Sequence, residues 1–357
     1  MKTILKIILM LTALITISCG NMYNDLAVEI GEYNYYLAVS QQSAAGKTYI
    51  YSLNESGSQA NQSWALSPGV AQYNIAADPA GNFLYIIYKA AEYVEAYKFN
   101  KDASLTYLQQ ITSTIANPHA LKIHPSGKYA YVSNIDTDDI LMFSINPNGT
   151  WSALSPASIL SSTIGGLDPS RIAIDYSGSY LFVANTGVGP DLTVFNIGSN
   201  GILSGKSSCN SLGIAGIKDV ILDKNNHVYI SSTGGIYSYN ISNNSLTLQD
   251  SNGNAAYLAT HPSGKYLYCL NTAFKSYKIN SDGSLTLISS EGTAPASLRN
   301  IVIHPNGNFM YITDNNAATG YFGVYQIKSD GSIQTSAIQT ISLNSAVGLA
   351  LIRKRKE

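Results

Sequence analysis

The sequence predicts an all-β fold: a seven-bladed β-propeller of four-stranded antiparallel blades, with the ring closed by the C-terminal strand. Three observations carry that prediction. One turn-and-strand motif recurs along the chain, a second recurs in phase with it, and a short apolar run stands before the copies of the first. Two motifs sharing one phase argue against a β-sandwich with chance internal similarity.

The first motif is clearest at His261–Asn271, HPSGKYLYCLN, and nearly copied at His124–Asn134, HPSGKYAYVSN. Looser copies are Asp78–Tyr88, Asp175–Asn185, Asp223–Thr233 and His304–Asn315, with a degenerate first one at Glu29–Ser40. A Pro/Ser/Gly or Asn cluster makes a tight turn, and an alternating aromatic and β-branched run follows. That reads as a turn feeding a half-buried strand. From Gly81 through Gly127, Gly178, Asn226 and Gly264 to Gly307, the turn residues are 46, 51, 48, 38 and 43 residues apart. Strand-rich units with a period of about 40–50 residues are what propeller blades look like.

The second motif is an alternating strand, then Asn or Ser, then a Gly or Asn turn, as in Lys278–Ser289 (KINSDGSLTLIS). It too occurs seven times. The apolar runs before the turns include Leu121–Ile123, Ile172–Ile174, Val220–Leu222 and Ile301–Ile303. Being nearly all apolar, they are expected to be the innermost strands, buried on both faces. Leu349–Ile352 is one more such run with no strand after it, so it is expected to complete the first blade. Leu26–Val28 is the rival for that place. The turn histidines His124, His261 and His304 recur too regularly for chemistry and are read as fold residues.

A length of 357 residues would permit two domains, but the repeat makes 28–357 one propeller domain. Charged residues are only 12%, against about 25% in an average soluble protein. The net charge of −1 does not suggest a nucleic-acid partner. The 26 tyrosines fall mostly at strand positions, where blade packing accounts for them.

Residues 1–18 read as a signal peptide: Lys2 and Lys6, then the apolar run Ile7–Ile17. Cys19 follows a small residue, as in a bacterial lipoprotein signal, so it is expected to carry the lipid, with 19–27 as a tether. Plain secretion is the alternative. Either way the chain is expected outside the cytoplasm, as a membrane-anchored monomer at the periplasm or cell surface. Cys209 and Cys269 do not fall side by side in the repeat and are expected to be free thiols. The basic tail Arg353–Lys356 is assigned to solvation of the terminus, with anionic lipid as a lesser option.

Loops carry function more often than cores. The informative loops enter the innermost strands, where the copies differ. Five residues before each turn's leading His or Asp stand Tyr73, His119, Ser170, Lys218, Ala256 and Arg299. Four before stand Asn74, Ala120, Arg171, Asp219, Tyr257 and Asn300. These positions should ring the channel mouth. His119, Arg171, Lys218 and Arg299 would make it basic, suited to a small anion, a carboxylate or a phosphate. Pairing with local acids such as Asp168 or Asp219 is the plainer reading. Tyr73, Tyr257, Asn134 and Asn185 are candidate ligand contacts at the same mouth. Asp136 and Asp138 have the alternate spacing of a calcium loop, without its glycine and late glutamate, so a solvated acidic loop is preferred and no metal is expected. There is no nucleophile elbow, CxxC, HExxH or phosphate loop, and no cofactor is expected.

The run Asn117–Asn134 (NPHALKIHPSGKYAYVSN), with Ile279–Thr286 (INSDGSLT), resembles the lactonase-type seven-bladed propellers, which include bacterial 6-phosphogluconolactonase and fungal carboxymuconate cyclase. The resemblance spans about residues 33–352 and also takes in non-catalytic exported proteins with YVTN-type blades. It implies that Pro118-His119 holds the family's active-site histidine and that Arg171 matches its arginine. Asp138-Asp139 replaces the family's Asp-Arg, and Ala184-Asn185-Thr186 stands where a glutamate is usual. On those departures the favoured reading is an exported, lipid-anchored propeller that binds a protein or small anion without catalysis. The first alternative is a lactone hydrolase or cycloisomerase with His119 as base and Arg171 and Arg299 holding an anionic substrate. The second is a structural envelope or surface protein. A sugar phosphate fits poorly with an exported chain.

Overall fold

The computed structural model describes residues 32–356, apart from 113, 162–165, 188, 210–215, 241–244 and 252–256. The signal segment, Cys19, the tether and Leu26–Val28 lie outside the described residues. Residues 32–357 form one unit. Seven four-stranded antiparallel sheets follow one another along the chain. Blade 1 is built of Ala346–Arg355, Tyr33–Gln41, Thr48–Leu53 and Ala60–Leu66. The innermost strands of blades 2 to 7 are Asn74–Ala77, Pro118–Ile123, Pro169–Ile174, Ile217–Leu222, Tyr257–Thr260 and Leu298–Ile303. Each packs against the next, and the last packs on Ala346–Arg355, so the ring is closed.

The closing strand is the C-terminal one, as the isolated apolar run suggested. It pairs with the first strand from Tyr33↔Arg355 to Gln41↔Ala346. The basic tail belongs to this seam. Arg353 lies 4.4 Å over the Tyr33 ring, Lys354 Nζ donates to Asn82 Oδ1 at 2.7 Å, and Lys356 pairs with Glu32 at 3.1 Å.

Burial is distributed differently from the sequence expectation. The second strands are buried almost throughout, for instance Tyr129–Asn134 and Phe309–Asp314. The innermost strands are buried only in part: in Ile217–Leu222, Lys218 is exposed and Asp219 and Ile221 are half-buried. The cause is geometric. A second strand is covered on both faces by the neighbouring blades, whereas an innermost strand borders the channel. An alternating aromatic pattern can therefore mark a fully buried strand when both faces meet protein.

The repeated motif residues staple each blade to the next. Tyr85, Tyr131, Tyr229 and Tyr311 donate their hydroxyls to the carbonyls of Gly149, Gly201, Gly283 and Gly57, at 3.2, 2.9, 3.0 and 2.6 Å. Each acceptor sits in the outer turn of the following blade. Gly201 adopts φ +79°, and a Cβ there would lie 2.3 Å from the Tyr129 ring, so only glycine fits. A second staple uses the turn histidines. His124 Nε2 donates to Gly178 O and His261 Nε2 to Gly307 O, both at 2.9 Å. Their Nδ1 atoms accept from Ser126 and Ser263 hydroxyls at 2.7 Å, which fixes the tautomer. Where the motif starts with aspartate, the carboxylate caps its own turn instead: Asp78 accepts from the N–H groups of Ala80, Asn82 and Phe83.

Blade 7 has the histidine but no recipient. In the following blade the two strands that such a turn would join, Ala346–Arg355 and Tyr33–Gln41, come from opposite ends of the described residues. His304 Nδ1 accepts from Asn306 N at 3.2 Å, but Nε2 is buried with no hydrogen-bond partner among the described residues. The Tyr35 ring stands edge-on 4.7 Å away in that place. Cys269 is a buried thiol, 1% exposed.

Candidate functional site at the channel mouth

The positions five residues before each turn are set apart by the backbone. Pro118 pairs with Asn134 and Ala120 with Ser133, which leaves His119 as an extra, bulged residue. The same irregularity sets out Ser170, Lys218 and Arg299 in blades 4, 5 and 7. A bulge re-aims a side chain out of the pleat: Lys218 and Arg299 are exposed and His119 half-buried, whereas the buried Ser170 donates its hydroxyl to Ala184 O at 3.2 Å.

Blades 2, 3 and 4 meet at one hydrogen-bonded chain. Tyr73 Oη lies 2.6 Å from His119 Nε2, and His119 Nδ1 lies 2.6 Å from the Ser170 carbonyl. A carbonyl can only accept, so Nδ1 carries the proton. Nε2 then accepts from the Tyr73 hydroxyl. Asn74 Nδ2 donates to His119 O at 3.3 Å and holds the bulge. Burial, and then the charges of Arg171, Lys89 and Arg299, lower the His119 pKa to about 3, against the pull of the Ser170 hydrogen bond. The imidazole is therefore neutral at pH 7.

The cations that depress it surround Tyr73 as well. Burial raises the Tyr73 phenol, while Arg171 and Arg299 pull it down. Lys89, from the short 3-10 helix Lys89–Ala91, lies 4.8 Å over the Tyr73 ring. Arg171 sits 5.3 Å over the Tyr257 ring and donates to its hydroxyl at 3.3 Å. A cavity of about 280 Å³ opens on the Lys89 side of the phenol, lined by Tyr73, Lys89, Glu92, Asn117 and Asp136 among others, while His119, Arg171, Tyr257 and Arg299 stand behind its wall.

Below the mouth, Lys122 opens onto solvent through the channel, yet protein surrounds it at longer range. That desolvation lowers its pKa, with Asp219 opposing and Arg171 reinforcing. Asp219 accepts from Val220 N at 3.0 Å and Leu258 N at 3.1 Å, and burial raises its carboxyl above the ordinary range.

The structure thus brings Tyr73, His119, Arg171, Tyr257 and Arg299 into one electrostatic group. Lys218, also bulged, is exposed and takes no part in the Tyr73–His119 contacts. Asn134 and Asn185 are corrected: both are buried, and their amides tie loops from inside. Asn134 Nδ2 donates to Thr114 O and Asp139 Oδ1, and Asn185 Nδ2 donates to Pro190 O. Asp136 accepts from Asn117 Nδ2 at 2.7 Å, and Asp138 from Asp168 N at 2.6 Å. Among the described residues no three His, Cys, Asp or Glu side chains gather as metal ligands. No ion pair within 4 Å joins His119, Arg171, Lys218 or Arg299 to a carboxylate among the described residues; Asp219 acts on Arg171 only from farther off, as a charge that raises its pKa.

Sequence reasoning missed Lys89 and Lys122. A signal for Lys122 was present: the matching residues of other blades are Ala76, Ala173, Ile221, Ala259 and Val302. Lys89 had none, because its reach depends on a loop conformation.

A family model described as "Lactonase, 7-bladed beta-propeller" matches residues 37–208 and 227–348. The chain is 24% identical over 272 residues to a 6-phosphogluconolactonase of Pectobacterium atrosepticum, covering 71% of this chain and 79% of that one. Among solved structures, a putative 6-phosphogluconolactonase from Bacteroides uniformis superposes with TM-score 0.76 at 15% identity, over 90% of this chain and 99% of that one. The periplasmic gluconolactonase PpgL of Pseudomonas aeruginosa gives 0.72 at 14% identity, over 89% and 99%. The names of these relatives overturn the preference for a propeller that binds without chemistry, and favour the alternative drawn from the sequence.

Proposed function

The chain belongs to the seven-bladed β-propeller lactonase family, and from that premise we propose that it hydrolyses the ester of a sugar lactone at the channel mouth. The observation that carries this reading is the chain Tyr73–His119–Ser170 carbonyl, with a neutral imidazole set among three cations. Ester hydrolysis needs a group to take a proton from the attacking water and positive charge near the developing oxyanion. His119 is the proton acceptor. Arg171, Arg299 and Lys89 supply the charge.

The glutamate usual in the family is absent, and the geometry supports a reading without it. The Ser170 carbonyl orients the imidazole by holding Nδ1–H, the part a carboxylate often plays. The cations make His119 a weak base in the empty site. A bound anionic group, or the oxyanion itself, offsets them and raises the imidazole's affinity for the proton. This favours lactones carrying a negative charge, such as the phosphorylated gluconolactone in the names of the sequence relatives, over neutral gluconolactone.

The test is a pH-stat assay of the purified protein on both lactones and on a muconolactone. We expect turnover above the spontaneous rate, faster for the charged substrate. No turnover on any of them would refute the reading. The pH profile adds a second check. His119 must be unprotonated and its pKa is low, so kcat/KM should hold from pH 7 down through 6.5 and fall only toward about 3. The kcat limb should lie higher, because a bound anion raises the imidazole's pKa.

A further inference from the structure

His119 cannot reach a substrate in this arrangement. One ring nitrogen is held by the Ser170 carbonyl and the other by the Tyr73 hydroxyl, both at 2.6 Å. Tyr73 lines the mouth cavity and His119 does not. A water or lactone entering the cavity meets the phenol first. Asn74, on the strand after Tyr73, donates to the His119 backbone carbonyl, and Lys89 lies over the phenol ring.

Resting on the lactonase reading above, we infer that Tyr73 is the catalytic residue that touches the attacking water, and that His119 works through it. As the water oxygen bonds to the lactone carbonyl carbon, the carbonyl π electrons move onto its oxygen. The water proton passes to Tyr73 Oη while the phenol proton passes to His119 Nε2. The imidazolium keeps its Nδ1–H on Ser170. When the tetrahedral adduct collapses, the bond from carbon to the ring oxygen breaks. The leaving alkoxide takes a proton from Tyr73 Oη, which recovers one from His119. The products are the open-chain hydroxy acid and the starting enzyme, and the acid then ionises in bulk water. No free tyrosinate forms, which suits a phenol whose burial opposes ionisation.

This arrangement makes a counterintuitive variant decisive. Tyr73→Phe removes one hydroxyl and leaves His119 Nε2 open to water. If His119 were the group that contacts water, the variant would keep or gain rate. If Tyr73 relays the proton, kcat should fall by about 100-fold or more, with KM changed less than about threefold because the cations remain. Thermal unfolding of the variant checks its fold. The wild type provides a measurement that needs no variant. Rates in mixtures of H2O and D2O should follow a curved dependence, since two protons move together, whereas a single transfer gives a straight line.

A wild type that turns over while Tyr73→Phe keeps pace, or a straight isotope dependence, overturns the relay and leaves the lactonase reading standing. A wild type silent on every lactone overturns both.

Discussion

Each innermost strand has two ends, and they behave in opposite ways. At the turn end the chain repeats itself: His124 and His261 each clasp the next blade's turn glycine, and Tyr85, Tyr131, Tyr229 and Tyr311 do the same one layer out. At the mouth end, four residues held in the same bulged position are His119, Ser170, Lys218 and Arg299. One backbone device therefore carries four different residues: His119 and Arg299 act on one phenol, and Ser170 holds the imidazole through its backbone carbonyl. The difference shows how a repeat protein can separate its two tasks. Positions that must contact a neighbouring blade are copied, because every blade has the same neighbour. Positions that meet across the channel are not copied, because a site needs different groups from different blades.

The comparison predicts that mutations at the two ends have separable effects. The largest belongs to the mouth. His119→Gln should lower kcat/KM by about two orders of magnitude or more, with little change in unfolding midpoint. A matching loss of stability would mean that His119 is a packing residue like its turn counterparts. Next comes Tyr311→Phe, which strands the Gly57 carbonyl in the interior. Denaturant unfolding should show a loss of about 1–3 kcal/mol, while activity per folded molecule stays unchanged. Smaller, and opposite in sign between two related residues, is the effect of leucine at the turn histidines. His124→Leu should destabilise by about 1 kcal/mol through the lost bond to Gly178. His304→Leu should be neutral or stabilising, since its Nε2 has no bond to lose. Equal losses at both would break the account of the seam.

The smallest effect is a pH dependence of folding. Burial lowers the pKa of His119, His261 and His304. Their folded values lie below the unfolded one, so below about pH 6.5 the unfolded chain binds protons that the folded chain refuses. The unfolding midpoint should fall as pH drops from 6.5 toward about 3, and His304→Leu should shallow the slope. A midpoint flat over that range would contradict the burial of these imidazoles.

Much of the fold was legible because its cause is periodic. A tyrosine hydroxyl bonded to the next blade's glycine requires Tyr and Gly at fixed offsets, and four such pairs leave a spacing that is visible in one dimension. The assignment of burial was less legible. Alternation in Tyr129–Asn134 suggested one wet face, yet both faces meet blades. The site was legible by position but not by membership. Counting back from the turns found Tyr73, His119, Arg171 and Arg299, because departures from a repeat stand out against it. The same count could not reject Lys218, since two residues in equivalent bulges differ in what lies across the channel. Asn134 and Asn185 misled for another reason. A polar residue at the end of a strand looks like a loop ligand, and whether its amide turns outward or inward is a property of the folded loop.

The seam in blade 1 sets a schedule for the chain's own birth. Ser40 and Gly348, which meet there, are 308 residues apart. At about 5–20 residues per second, the strand Tyr33–Gln41 waits on the order of half a minute for its partner. Throughout that interval one edge of the first sheet is bare, the condition under which sheets recruit foreign strands. The partner, Ala346–Arg355, leaves the ribosome after every other strand of the ring. A chain arrested before Ala346 would therefore be an open ring with an adhesive edge, and not a slightly shorter propeller.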